Sequence, residues 1–215
     1  MAGRAFPASA RSLLVFPRAF EPNKVPPLGI TQLAACLREA GHEVDLADLT
    51  VEPIRNFDLT QYCLVGMTLL CTNFPNGTRL AKRIRESNES VWIAAGGPFA
   101  DACPREVLDT GVFEIVGQGE CETTLPKLVD AIKRGMDLSD IPGLSFHRDG
   151  KIVRTQNAPL LADSDALPFS EYPLLSIEKY PQHSIMASRG CPFDYVFCDG
   201  ARPNSSNWAR PFRCR

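Results

Sequence analysis

The stretch Val91–Glu120 reads VWIAAGGPFADACPREVLDTGVFEIVGQGE. Two short strand-like runs, Val91–Ala95, apolar throughout, and Phe113–Val116, interrupted by Glu114, each end in a glycine-rich loop. The loops are Gly96-Gly97-Pro98 and Gly117-Gln118-Gly119-Glu120. Between them, Pro104 suits the first turn of a short helix that closes near Gly111. Unbroken apolar runs of this length suit strands buried on both faces of a parallel sheet. A right-handed strand–helix–strand crossover then puts both glycine loops at one edge of that sheet.

The same alternation extends toward the N-terminus. Leu13–Pro17 is another apolar run, and Val44–Leu49 and Leu64–Leu70 read as further strands. Ile30, Leu33, Ala34 and Leu37 line one face of a helix that Gly41 closes. Asn76–Asn88 is a helix with a basic face, the usual pattern of a solvated surface. Leu125, Leu128, Val129 and Ile132 mark a last helix, with Gly135 after it. The fold class expected is α/β, a doubly wound five-stranded parallel sheet of the Rossmann or flavodoxin kind. The loops Phe16–Gly29, Leu69–Gly77, Gly96–Ala100 and Gly117–Cys121 fall at its carboxyl edge. Such sheets bind their ligands there, although glycine and proline also serve simply to make turns.

The pattern changes after Gly135. Leu144–His147 and Lys151–Arg154 flank Asp149-Gly150, which reads as a β-hairpin. Pro159–Tyr180 is punctuated by proline and aspartate and reads as a linker laid across a surface. Ser184–Ala187 is a further candidate strand, running directly into SRGCPFDYVFC, residues 188–198. The expected division is residues 1–137, a hairpin and linker over 138–183, and the start of another domain over 184–215.

Composition narrows the function classes. With 25 acids against 23 bases in 215 residues, there is no overall basic field for nucleic acid. No apolar run approaches the roughly 20 residues of a membrane-spanning helix. Leu13–Phe16 is too short for a secretory signal core. Arg4, Ser9 and Arg11 precede any acid, so the N-terminus reads either as a transit-like leader or as a frayed end. Eight cysteines without a secretion signal fit a reduced, cytoplasmic setting. Cys36 and Cys63 lie in apolar runs, where a thiol acts as a small hydrophobe.

Only Cys191 and Cys198 stand close together in a motif-like setting. Two thiolates alone do not complete a zinc or iron–sulfur site. Ser188-Arg189-Gly190-Cys191-Pro192-Phe193 followed by Phe197-Cys198 resembles the cluster loop of radical S-adenosylmethionine enzymes. In that family a C-x-x-x-C-x-x-C motif holds a [4Fe–4S] cluster, which binds and reductively cleaves S-adenosylmethionine. Cys191 and Cys198 match the first and third ligands. Tyr195 stands where the motif has its second cysteine, so cluster loading is expected to be poor.

The upstream region resembles the cobalamin-binding domain of the cobalamin-dependent branch of that family. The match rests on Pro26-Pro27-Leu28-Gly29-Ile30, Val65-Gly66-Met67-Thr68, Gly96-Gly97 and Gly117-Gln118-Gly119-Glu120. It continues through Ile141-Pro142-Gly143-Leu144 and Leu167-Pro168-Phe169. The resemblance implies cobalamin contacts from Leu28, Gly29, Thr68, Leu69, Gly96, Gly97, Gly117, Gln118, Gly119 and Glu120. Thr68 reads either as a donor to the corrinoid or as a strand-end residue satisfying its own turn. Glu120 reads either as an acid favouring a helix N-terminus or as a contact to the cofactor or the barrel. The loop Arg18–Asn23 has no histidine, so cobalamin is expected without a protein imidazole ligand. His42, His147 and His183 read as surface residues.

The family includes methyltransferases acting on unactivated carbon and the anaerobic ring cyclase of chlorophyll synthesis. This chain is therefore expected to be the cobalamin-binding portion of such an enzyme. It is not expected to be catalytically competent by itself. Asp199–Arg215 shows no strand–helix period, which suggests an interrupted barrel. An unpartnered first barrel strand would favour aggregation or disorder after about Tyr180. The competing reading is a doubly wound interaction module with no cofactor. A dinucleotide domain ranks lower, because no G-x-G-x-x-G follows the first strand.

Overall fold

A computed structural model describes residues 6–54, 57–161, 163–190 and 210–211. The parallel strands are β1 (Arg11–Phe16), β2 (Val44–Asp48), β3 (Tyr62–Thr68), β4 (Trp92–Gly96) and β5 (Ile115–Gly117). They lie in the order β2-β1-β3-β4-β5, the doubly wound arrangement that the sequence predicts. The helices are α1 (Leu28–Glu39), α2 (Phe74–Ser87), α3 (Pro98–Ala102), α4 (Pro104–Leu108) and α5 (Thr124–Arg134).

Strand alternation divides the core between the two faces of the sheet. Leu14, Leu64, Ala94 and Ile115 pack on the face of α1 and α5. Leu13, Val65, Ile93 and Val116 pack on the face of α2, α3 and α4. Both faces are covered, which is why the strands are mostly apolar on either face. Helix α3 lies in the span expected as a loop. Pro98 in its first turn presets φ, and Asp101 favours its N-terminus.

The hairpin forms as β6 (Leu144–Arg148) and β7 (Lys151–Arg154). It also extends the sheet: β6 pairs antiparallel with β5, placing Phe146 beside Ile115 and Leu144 beside Gly117. Phe146 and Leu144 are fully buried. The sheet therefore has seven strands rather than five, because β5 would otherwise be an open apolar edge.

The linker does cross a surface, and that surface is α1. Gln32 Nε2 donates to the Pro168 carbonyl, and Ser170 Oγ donates to Gln32 Oε1. The Glu171 amide donates to the Thr31 carbonyl. Farther along, the Tyr180 hydroxyl donates to Asp48 at 3.0 Å. Asp48 is fully buried at the end of β2 and also accepts from Asn23 and Thr50. Four donors compensate the cost of burying this carboxylate.

Ser184–Ala187 carries no strand pairing. Pairing begins at β8 (Ser188–Arg189), antiparallel to β9 (Arg210–Pro211). His42 is buried at 8% exposure rather than a surface residue. The left-handed turn at Gly41 tucks it at the amino edge of the sheet, 3.9 Å from Asp130 of α5. Among the described residues no helix is long and apolar enough to cross a membrane.

Candidate functional site

The winding of the sheet reverses between β1 and β3, which opens a crevice at the carboxyl edge. A cavity of about 590 Å³ occupies this edge. Its floor includes the register partners Gly66 and Ala94, whose small size leaves a trough in the sheet. Ile30 and Leu33 of α1 form one wall, and Leu125 and Leu128 of α5 another. Met186, Ser188, Arg189 and Gly190 line it as well.

Local hydrogen bonds shape the mouth. Asn73 Nδ2 donates to the Thr68 carbonyl, and the Leu70 amide donates to Asn73 Oδ1. Asn73 thus closes the turn after β3, and the Thr68 hydroxyl has no hydrogen bond among the described residues. The Leu69 amide donates to the Gly96 carbonyl, and the Phe99 amide donates to the Leu69 carbonyl. Gly97 sits at φ +88°, where a Cβ would lie 2.9 Å from Thr68 Cγ2 and 3.1 Å from the Leu69 carbonyl oxygen. Only glycine meets both conditions. Asp101 of α3 accepts from the Gly119 amide and so positions the loop after β5.

Gly29, Thr68, Gly96, Gly97, Gly117, Gly119 and Glu120, all implied by the resemblance as cobalamin contacts, line the cavity. Leu28, Leu69 and Gln118 do not. Leu28 is the first residue of α1 and accepts from the Thr31 hydroxyl. Leu69 is fully buried in the core under α2. Gln118 is also buried, and Ser145 Oγ donates to its Oε1 at 2.7 Å. Glu120 stands before α5 rather than in its first turn, and its Oε2 accepts from the Leu161 amide. Cys191, Tyr195 and Cys198 lie outside the described residues. Among the described residues no group of three or more His, Cys, Asp or Glu is placed to hold a metal.

Three cavity residues were not singled out from sequence: Cys121, Glu122 and Arg189. Burial, with the Glu122 and Asp101 carboxylates, pushes the Cys121 thiol up to about 12. It therefore presents a neutral thiol at neutral pH. Arg189 forms an ion pair with Glu122, and its Nη1 stands 3.8 Å from Glu120. The only sequence signal for this pair is the spacing of two acids just after the glycine loop. Sequence spacing does not show that residue 189 folds back onto them.

The cavity suits a bulky, mostly neutral ligand. A Cβ on Gly29 would meet no atom within 4 Å, and one on Gly96 only the Gly117 carbonyl at 3.9 Å. Backbone at these positions thus faces space that the protein leaves unfilled. No histidine lines the cavity among the described residues: His42 is at the opposite edge, and His147 and His183 lie elsewhere. The unfilled space beside the glycines and the apolar walls fit cobalamin, a large ring edged by neutral amides.

Residues 21–129 match the family described as the B12 binding domain. An uncharacterised methyltransferase of Pyrococcus horikoshii is 32% identical over 195 residues, covering 85% of this chain and 42% of that protein. The chain thus spans about two-fifths of that relative's length. The radical S-adenosylmethionine methyltransferase TsrM of Kitasatospora setae, solved with cobalamin and a [4Fe–4S] cluster, superposes with TM-score 0.60 at 25% identity. That match covers 74% of this chain and 31% of TsrM. The cobalamin-dependent radical enzyme OxsB shares the fold over 95% of this chain and 30% of its own, with TM-score 0.78 at 20% identity. The chain belongs to the B12-binding domain family.

Proposed function

We propose that cobalamin is held in the cavity at the carboxyl edge of β1, β3, β4 and β5. The observation that carries this is the trough over Gly66 and Ala94, walled by apolar side chains and opening between glycine loops. Gly29, Gly96, Gly97, Gly117 and Gly119 let backbone approach the ring. Thr68 offers its uncommitted hydroxyl to an amide of the corrinoid. Leu28, Leu69 and Gln118 hold the loops in place. Cys121 and the leucines of α5 keep water from the buried part of the ligand.

Bound methylcobalamin supplies a cobalt-linked methyl group for transfer to carbon. The parent reaction we assign is radical methyl transfer, or a related radical ring closure, with S-adenosylmethionine as co-substrate. The contribution of the described residues is binding, orientation and exclusion of water. No step is assigned to the cluster loop, where Tyr195 replaces a cysteine of the motif.

The test is retention of hydroxocobalamin. The chain, purified anaerobically with hydroxocobalamin and desalted, should keep corrin absorption bands at near-equimolar ratio. Gly96→Val, which puts a branched side chain into the cavity, should weaken binding at least tenfold. Absence of corrin bands with the unaltered chain would leave a cofactor-free interaction module as the correct reading.

A further inference from the structure

The linker that crosses α1 is gripped at Gln32, which is buried at 8% exposure. A buried side-chain amide is costly unless it is hydrogen-bonded. Both ends of this one are bonded to the linker. The Pro168 carbonyl can only accept, so it takes the amide NH2, and the Ser170 hydroxyl donates to Oε1, each at 2.9 Å. The Glu171 amide bonds beside them to the Thr31 carbonyl at 3.0 Å. Gly29, Ile30 and Leu33 of the same helix line the cavity.

A second set of bonds carries the linker's far end into the cavity wall. The Gln182 amide donates to the Lys24 carbonyl, in the loop that leads into α1. The Tyr172 hydroxyl donates to the Ser184 carbonyl at 2.6 Å, fixing the chain two residues before Met186. Met186, Ser188 and Gly190 line the cavity. Arg189 among them is paired with Glu122, the two side chains being 10% and 8% exposed. Gln32, Ser170, Tyr172 and Gln182 do not line the cavity themselves. They lie behind the two parts of its wall that they join, the start of α1 and residues 186–190.

We propose that the linker is a strap that couples corrinoid occupancy to its own docking on α1, with Gln32 and Tyr172 as positioning residues for the ligand. A ligand filling the cavity touches the start of α1 and residues 186–190 together. It binds best when their spacing is already fixed, because ordering them on binding costs affinity. By linkage, whatever the docked strap adds to ligand affinity the ligand returns to strap docking. Gly190 runs directly into Cys191 of the cluster-loop motif, so corrinoid occupancy is felt where that motif begins. The coupling rests on the corrinoid reading for its ligand; the strap's hold on residues 186–190 does not.

The probe is hydroxocobalamin, titrated by absorbance, with hydrogen exchange measured in parallel. Saturating hydroxocobalamin should slow exchange at the Glu171 and Gln182 amides by about fivefold, the low end for coupled sites. The Asn88 amide, bonded to the Ile84 carbonyl at the end of α2, should change little and serves as the internal control. Gln32→Met and Tyr172→Phe should each raise Kd by about the same factor. Ser170→Ala should raise Kd as well, and Ser170→Thr, which keeps the hydroxyl, should restore it. A purely structural role would lower the melting temperature and leave Kd unchanged. Without ligand, Gln32→Met and Tyr172→Phe should speed exchange at the Ser188–Gly190 amides and not at Asn88. If the unaltered chain binds hydroxocobalamin while the Glu171 and Gln182 amides exchange as before, the coupling is overturned. If it binds none, the corrinoid reading fails and the coupling with it; the ligand-free exchange then decides the strap's hold on the wall, which unchanged rates at Ser188–Gly190 in both variants would overturn.

Discussion

Gly97 illustrates how a single residue sets the site. Its φ of +88° and ψ of 175° belong to a region open essentially to glycine alone. Gly97→Ala should therefore lower stability by about 1–3 kcal/mol in urea unfolding. It should also weaken corrinoid binding, because Thr68 and the β3 loop must shift. Asp48 acts at the same scale. Its carboxylate gathers Asn23, Thr50 and Tyr180 around the end of β2. Tyr180→Phe should cost about 1.5–3 kcal/mol, the range for hydrogen bonds to charged groups. Limited proteolysis should then cut the 159–183 segment faster. Tyr195 is read from sequence alone. Iron–sulfur reconstitution should give low iron content, and Tyr195→Cys should raise it. Equal iron and sulfide in both forms would show that the loop does not follow the cluster motif.

Among the elements, the hairpin differs most from the sequence-based expectation. Its turn and strands were legible from Asp149-Gly150 and the flanking apolar residues, but its neighbour was not. The pairing of β6 with β5 depends on a long-range contact that no local pattern records. Phe146 is fully buried on β6, so Phe146→Ala should destabilise the whole sheet by about 3–5 kcal/mol. If the hairpin were an independent connector, the melting temperature would barely move. The α1–β2 connection carries His42, whose buried position lowers its pKa below 6.5, desolvation first and nearby Lys133 second. The folded state therefore resists protonation more than the unfolded chain does. The stability contributed by neutral His42 is present above pH 6.5 and is lost as pH falls through the depressed folded value. His42→Gln should flatten that acid-side loss in a pH series of denaturant midpoints.

At the scale of the whole molecule, the cavity is assembled from parts remote in sequence. The sheet edge, α1 and α5 supply the trough, and the linker bound along α1 precedes Arg189 in the outer wall. The strand–helix alternation and the glycine loops could be read from the chain because both are local. Burial on both faces demands mostly apolar strands, and sharp turns beside a large ligand demand small residues. That is why seven of the ten cobalamin-contact candidates do line the cavity. Leu28, Leu69 and Gln118 lie in the same loops without lining the cavity, and side-chain placement in an irregular loop depends on packing. Arg189 was visible only as part of a cluster motif, since its contact with Glu122 arises from the path of the linker. By itself, the sequence determined the strand–helix alternation, the carboxyl-edge loops and the kinship with corrinoid domains, because strand burial and backbone approach impose local residue requirements. Only the tertiary structure decided that the hairpin completes the sheet, that His42 is buried, and that a buried ion pair closes the cavity. Each of these depends on contacts between segments far apart in the chain, and local patterning carries no record of them.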